Sequence, residues 1–120
     1  MAKKQLNITV IDMKIMRGIF GEDSHGLQTY LKNFIRITAG ILQQVNSALE
    51  TKSDQAALDY FHQLKGPVGS IGFKKMYRLC EQCESLISAG DWVSAMETYA
   101  KIEATLKALE VELDKKFKPA

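Results

Sequence analysis

Apolar residues recur every three or four positions along most of the chain. The longest series has no proline within it and comprises Leu27, Tyr30, Leu31, Phe34, Ile37, Ile41, Val45 and Leu49. This spacing is typical of one face of an amphipathic helix. The series therefore predicts a long helix that buries one side.

Turn-forming residues divide the rest of the chain into further helical segments. The stretch "VIDMKIMRGIFG" predicts a short first helix ended by Gly21. Ser53 or Asp54 is expected to cap the third helix, and "SAGDW" ends the fourth at Gly90 and caps the fifth with Asp91. The apolar stripes of the last three helices are Ala57, Leu58, Phe61, Leu64 and Val68; Met76, Leu79, Cys80, Cys83, Leu86 and Ile87; and Trp92, Ala95, Met96, Tyr99, Ile102, Leu106, Leu109 and Leu113.

Four long amphipathic helices and one short helix can bury their stripes only against one another. We therefore predict an all-α fold, an antiparallel up-down four-helix bundle with a short extra N-terminal helix. The length of 120 residues fits one domain, with no internal repeat or low-complexity segment. We expect a single domain over residues 1–120 whose ordered core covers about 9–114.

Composition narrows the class of protein. The chain is 46% hydrophobic and 25% charged, as in soluble globular proteins, and its net charge of +2 is too small to indicate nucleic acid. It has neither the run of about 18 apolar residues that a membrane span needs nor an apolar leader at its start. Two cysteines do not suit a disulfide-built secreted fold. We expect a cytoplasmic protein.

The centre of the chain breaks the helical pattern with the stretch "FHQLKGPVGSIG", which places three glycines and a proline after His62. If this stretch is helical, Lys65 lies about 60° from His62 on one side, Gly66 about 40° on the other, and Gly69 nearly in line. His62 then points away from the apolar stripe. Local rules also allow a second interpretation, because "KGP" is a good helix stop and the glycines would then form only a loop.

The same residues resemble the motif of histidine phosphotransfer (HPt) domains in multistep phosphorelays. That family's pattern is His-x-x-Lys-Gly with a further glycine ten residues after the histidine, which here are His62, Lys65, Gly66 and Gly72. "LCEQCE" in the next helix, the "AGDW" turn and the long last helix also fit. The resemblance covers most of the chain and implies that the helix continues past the glycine.

The resemblance implies a role for each motif residue. His62 would accept a phosphoryl group from a receiver-domain aspartate, and Lys65 would bind its oxygens. Gly66 and Gly69 would give the receiver close access, and Gly72 would serve the turn or start of the next helix. We expect the partner to dock on Gly66 and Gly69 and on four neighbouring side chains, Gln63, Lys74, Lys75 and Arg78.

Residues 62–78 carry a charge of +4 with no acidic residue, which would complement an acidic receiver pocket. The expected partners are receiver domains of response regulators or hybrid sensor kinases, with no nucleic acid or membrane, and the protein is expected to be monomeric. No cofactor or metal is expected in this chain; Mg²⁺ would belong to the receiver. We expect a phosphoryl carrier without kinase activity of its own, because no kinase or Walker motif is present.

One residue departs from the family pattern. Pro67 stands where the family has a small serine or alanine, and it lacks the amide that would bond to the Gln63 carbonyl. We expect a kink near Gly66 and Pro67. The departure favours an alternative, an HPt-like module that docks receivers or kinases and regulates them without phosphotransfer. A third hypothesis is an unrelated structural bundle in which His62 is buried.

Other candidate residues have structural explanations. Cys80 and Cys83 form a C-x-x-C without a second pair, so we interpret them as core residues and not as zinc ligands. His25 is interpreted as a solvated residue of a cap region. Trp92, Tyr99 and the methionines follow the stripes and are predicted to lie in the core.

Overall fold

The computed structural model describes residues 8–116, and that range folds into five helices without a strand. The helices are α1 (Met13–Phe20), α2 (Ser24–Glu50), α3 (Asp54–Ser70), α4 (Lys74–Ser88) and α5 (Trp92–Lys116). Helices α2 to α5 each pack against two neighbours and close a bundle, while α1 packs on α2. The predicted four-helix bundle with a short N-terminal helix is confirmed.

The helix ends follow the turn chemistry of the sequence. Gly21 ends α1 with a φ of 56°, a left-handed conformation that glycine adopts without steric cost. The Asp91 carboxylate accepts a hydrogen bond of 3.1 Å from the Ser94 amide and so caps α5 as predicted. Ser53 occupies the N-cap position of α3, but its side chain makes no capping hydrogen bond.

The core contains most of the predicted stripe residues, with two exceptions. Ile37 is 52% exposed, whereas the adjacent Thr38 is 1% exposed and occupies the centre of the buried face of α2. Met96 is 39% exposed, beside the fully buried Ala95. Both predictions were wrong. Consecutive helical residues point about 100° apart, and at each place the bundle covers the neighbouring residue and leaves the predicted one exposed.

The segment before α1 packs along the bundle. Ile8 and Ile11 are buried, and both the backbone amide and the hydroxyl of Thr9 hydrogen-bond to the Glu112 carboxylate near the end of α5. The expected core of 9–114 omits Ile8 and the last two residues of α5, which are helical to Lys116. The other residues beyond the expected core, 1–7 and 117–120, lie outside the described residues.

Candidate functional site

His62 lies near the middle of α3 with an exposed side chain. Its neighbours Phe61 and Leu64 are 0% and 1% exposed and fix the opposite face of the helix in the core. The rotation that buries Phe61 and Leu64 necessarily turns His62 outward, because the three positions differ by 100° and 200°. The outward orientation expected from the sequence is therefore observed.

Helix α3 does not stop at the glycine–proline pair. It runs through Gly66 and Pro67 to Ser70, so the interpretation of this stretch as a loop was wrong. Val68 is fully buried on the apolar face, and the Ser70 hydroxyl donates a hydrogen bond of 3.0 Å to the Gly66 carbonyl. Burial of Val68 on the stripe gives the last turn a packing reason to stay helical despite the proline. The kink itself stays a prediction.

At two positions beyond His62 the surface of α3 carries no side chain, because the residues are glycines. A methyl group added at Gly66 would meet no atom within 4 Å, and one added at Gly69 would lie 3.5 Å from the Tyr77 ring. The fold of this chain therefore has room for a side chain at both positions. Their small size gives an approaching molecule access to the backbone of α3 next to His62.

The side chain of Lys65 is directed toward α4. Its Nζ lies 2.9 Å from Oε1 of Glu84 and 5.6 Å from the centroid of the Tyr77 ring. The hydrogen bond to Glu84 raises the pKa of Lys65 above its ordinary value of 10.5, although desolvation opposes the shift. Lys65 is thus a fixed cation one turn from His62.

Gly72 forms the turn between α3 and α4 with a φ of 65°. The segment before α1 crosses this turn, and the Asp12 amide donates a hydrogen bond of 3.2 Å to the Ile71 carbonyl. A side chain at position 72 would collide with the Cβ of Asp12 and approach Cδ1 of Ile15 to 3.2 Å. Two features of the structure therefore require glycine at position 72: the positive φ of its backbone and the close approach of the segment before α1.

The other predicted docking residues do not form one cluster. Gln63 is exposed on the side of His62 opposite Lys65. Lys74 lines a hollow beside Gly72, whereas Lys75 lines a groove against α5. Arg78 lines a third hollow on the outer face of α4. The charge of +4 that the sequence gathers in residues 62–78 is therefore distributed around α4, and Glu84 compensates the part that Lys65 carries.

Sequence reasoning missed several residues around this surface. Glu84 and Tyr77, which contact Lys65, lie on a different helix and could be placed only once the rotation of α4 was known. Ile15 and Ile19 of α1 are 38% and 63% exposed, and Ile15 lies next to the turn of Gly72. The sequence carried a signal for these two, because Ile15 and Ile19 are four residues apart and share one face of α1, whose buried residues are Met13 and Met16.

Comparisons with known proteins bear on the family and the fold of this chain. The family model of the Hpt domain matches residues 29–112, most of the chain and all of the motif around His62. The chain belongs to the Hpt domain family. The structure of histidine-containing phosphotransfer protein B from Pseudomonas aeruginosa PAO1 superposes on this Hpt domain with a TM-score of 0.79 at 16% sequence identity, covering 91% of this chain and 95% of that one. A search of curated proteins gave no match.

The cysteines of this Hpt domain are core residues, as predicted. Cys80 and Cys83 are both buried and free, and burial raises the pKa of each thiol to about 12. Within residues 8–116 there is no group of three side chains suited to hold a metal ion. In the same range no helix is long and apolar enough to cross a membrane.

Proposed function

We propose that this Hpt domain is a phosphorelay intermediate that accepts a phosphoryl group on His62 from a receiver-domain aspartate and passes it to another receiver. The observation that carries the proposal is the exposed imidazole of His62 on a helix whose next turn offers a cation and a bare backbone, Lys65 and Gly66. Membership of the Hpt family supports the same reading.

The proposed transfer exchanges one bond at phosphorus. A neutral imidazole has one nitrogen with a free electron pair, and that nitrogen of His62 attacks the phosphorus of the aspartyl phosphate. A P–N bond forms, the P–O bond to the aspartate breaks, and its electron pair stays on the carboxylate. The proton on the second imidazole nitrogen can leave to solvent. Transfer to the second receiver reverses these steps.

Under this proposal the metal ion for the transfer comes from the receiver domain. An aspartyl phosphate site carries negative charge and uses Mg²⁺ to neutralise it, so the metal belongs to the receiver. The exposed cations Lys74, Lys75 and Arg78 on α4 favour approach of such an acidic site. We further propose that the protein acts as a monomer in the cytoplasm.

The test is transfer of labelled phosphate from a phosphorylated receiver. We expect a label on the wild-type chain that acid removes and base does not, which distinguishes phosphohistidine from an acyl phosphate. His62→Gln should abolish it, while the other histidine is the matched control and His25→Gln should keep it. Absence of label on the wild type with every receiver tried, or label that persists in His62→Gln, would contradict the proposal.

A second candidate function is docking and regulation of receivers or kinases without phosphotransfer. Pro67 is the observation that favours it, since it leaves the Gln63 carbonyl without its helical amide partner in the turn after His62. Receiver binding that persists in His62→Ala, with no phosphate found on the wild type, would select this function. The third hypothesis, an unrelated structural bundle, would have been supported by a buried His62, and the residue is exposed.

A further inference from the structure

Two residues of α4 contact the ammonium group of Lys65, one helical turn from His62. Tyr77 and Glu84 are seven residues apart on α4, so they lie on one face about two turns from each other. Both contact Lys65, the ring at 5.6 Å and the carboxylate at 2.9 Å. The side chain of Lys65 is only 22% exposed, a low value for a lysine that flanks an open surface.

The contact with Glu84 is one that the protein cannot easily give up. Oε1 of Glu84 is shielded from solvent, and the Lys65 ammonium is the charge that compensates it. A shielded carboxylate oxygen without a partner is strongly unfavourable. The pair therefore keeps Lys65 on the α4 side of α3 and restricts the rotamers of a long flexible side chain.

The held ammonium still has bonding capacity. An ammonium group has three N–H donors, and its ion pair of 2.9 Å with the Glu84 oxygen occupies at most one of them. The face of the Tyr77 ring attracts the cation without using a donor. Two donors remain for oxygens of a group attached to His62, one helical turn earlier on α3.

We propose that Glu84 and Tyr77 are positioning residues, which hold the Lys65 ammonium where it binds the phosphoryl group transferred to His62. This inference rests on the proposed function. Neither residue touches the transferred group; both act through Lys65. The chain thus contributes a prearranged cation, and the lysine does not have to be ordered anew at each transfer.

A double-mutant cycle tests whether Glu84 acts through Lys65. The transfer rate from a phosphorylated receiver is measured for the wild type, Glu84→Gln, Lys65→Met and the double variant. Glu84→Gln should slow transfer about three- to tenfold in the wild-type background and have no effect when position 65 is methionine. A purely structural role of Glu84 would slow transfer equally in both backgrounds and would overturn the proposal, as would an unchanged rate in Glu84→Gln.

Tyr77 allows a matched pair of variants. Tyr77→Phe keeps the ring beneath the ammonium and should transfer at the wild-type rate, whereas Tyr77→Leu removes the π face and should be slower. Equal rates for the two would contradict a role of the ring. Thermal unfolding of every variant separates loss of fold from loss of positioning.

A measurement on the wild type needs no substitution. NMR order parameters of the lysine side chains should show Lys65 markedly more ordered than Lys74, which lies exposed on α4. Equal order for the two lysines would contradict the proposal whatever the variants do. If the wild type takes up no phosphate at all, the proposed function fails, whereas normal labelling with no coupling between positions 84 and 65 refutes only the positioning role.

Discussion

The backbone of Gly72 lies directly against Asp12, so that no side chain fits between the turn after α3 and the cap of α1. The two segments are also joined by the hydrogen bond from the Asp12 amide to the Ile71 carbonyl. The glycine that completes the motif of His62 is therefore also the point at which the N-terminal segment crosses the bundle.

Replacement of Gly72 by alanine should destabilise the fold more than the same change at Gly90. Both glycines have positive φ, 65° and 78°, but an added methyl group meets Asp12 at position 72 and open space at position 90. We expect a loss of about 1–2 kcal/mol for Gly90→Ala from the backbone alone, and a larger loss for Gly72→Ala. Urea unfolding measures the difference; equal losses would show that Asp12 moves away freely.

Position 66 should separate stability from partner access. Gly66→Ala meets no other part of the fold, but its Cβ lies directly before Pro67, which disfavours the helical conformation of a non-glycine residue, so the usual gain of about 0.5–1 kcal/mol should be reduced or lost. Gly66→Leu should leave the fold intact while it slows phosphoryl transfer from a receiver by obstructing approach to His62. The rate and the melting temperature are measured on the same samples. A leucine variant with wild-type transfer would show that the partner does not approach over this position.

Pro67 can be tested by restoring the missing amide. Pro67→Ala returns an N–H that bonds to the Gln63 carbonyl, and alanine is favoured over proline inside a helix by about 3 kcal/mol. The freer unfolded chain offsets about 1 kcal/mol of this gain. We expect a net stabilisation of about 2 kcal/mol in urea unfolding, and unchanged stability would indicate that the helix already satisfies Gln63 by another route. Faster transfer in Pro67→Ala would show that the proline limits the relay.

The buried thiols predict a loss of stability at alkaline pH. Burial raises the pKa of Cys80 and of Cys83 from 9.0 to about 12, so the folded chain holds these protons more tightly than the unfolded chain. Their contribution is fully present below pH 9 and is lost as pH rises toward 12, with a slope of up to about 1.4 kcal/mol per pH unit for each thiol.

Urea unfolding under reducing conditions between pH 8 and 11 measures this slope. Tyr99 adds to it above pH 10, because burial raises the pKa of its hydroxyl to about 12. The variant Cys80→Ala/Cys83→Ala is the control and should show a flatter dependence. A pH dependence that both thiol substitutions leave unchanged would contradict the assignment.

The helical pattern predicted the parts of the site that depend on one helix. Burial of Phe61 and Leu64 fixes the rotation of α3, and the outward position of His62 follows by geometry alone. The helix-stop pattern at Gly66 and Pro67 gave a wrong end for α3, because that pattern depends only on local conformational preference. Packing of Val68 and Ile71, both fully buried, keeps the helix in place beyond it.

The parts that depend on two elements could not be read from the sequence. The pairing of Lys65 with Glu84 needs the rotations and the relative height of α3 and α4. Ile37 and Thr38 show the same limit, because a polar residue took the buried position that hydrophobicity assigns to its neighbour. Ile8 lies outside the core expected from the sequence, yet it is buried, and the adjacent Thr9 hydrogen-bonds to Glu112 far along the chain.

The exposed position of His62 on a single outer face has a kinetic consequence. A donor and an acceptor that both need the same imidazole occupy the same space, so the carrier meets them in turn. Under the proposed function, steady-state transfer between two receivers should follow a double-displacement scheme, with parallel double-reciprocal plots. Between the two encounters a phosphoryl group on His62 would be exposed to water. The fraction lost to hydrolysis would then depend on how soon the second receiver binds.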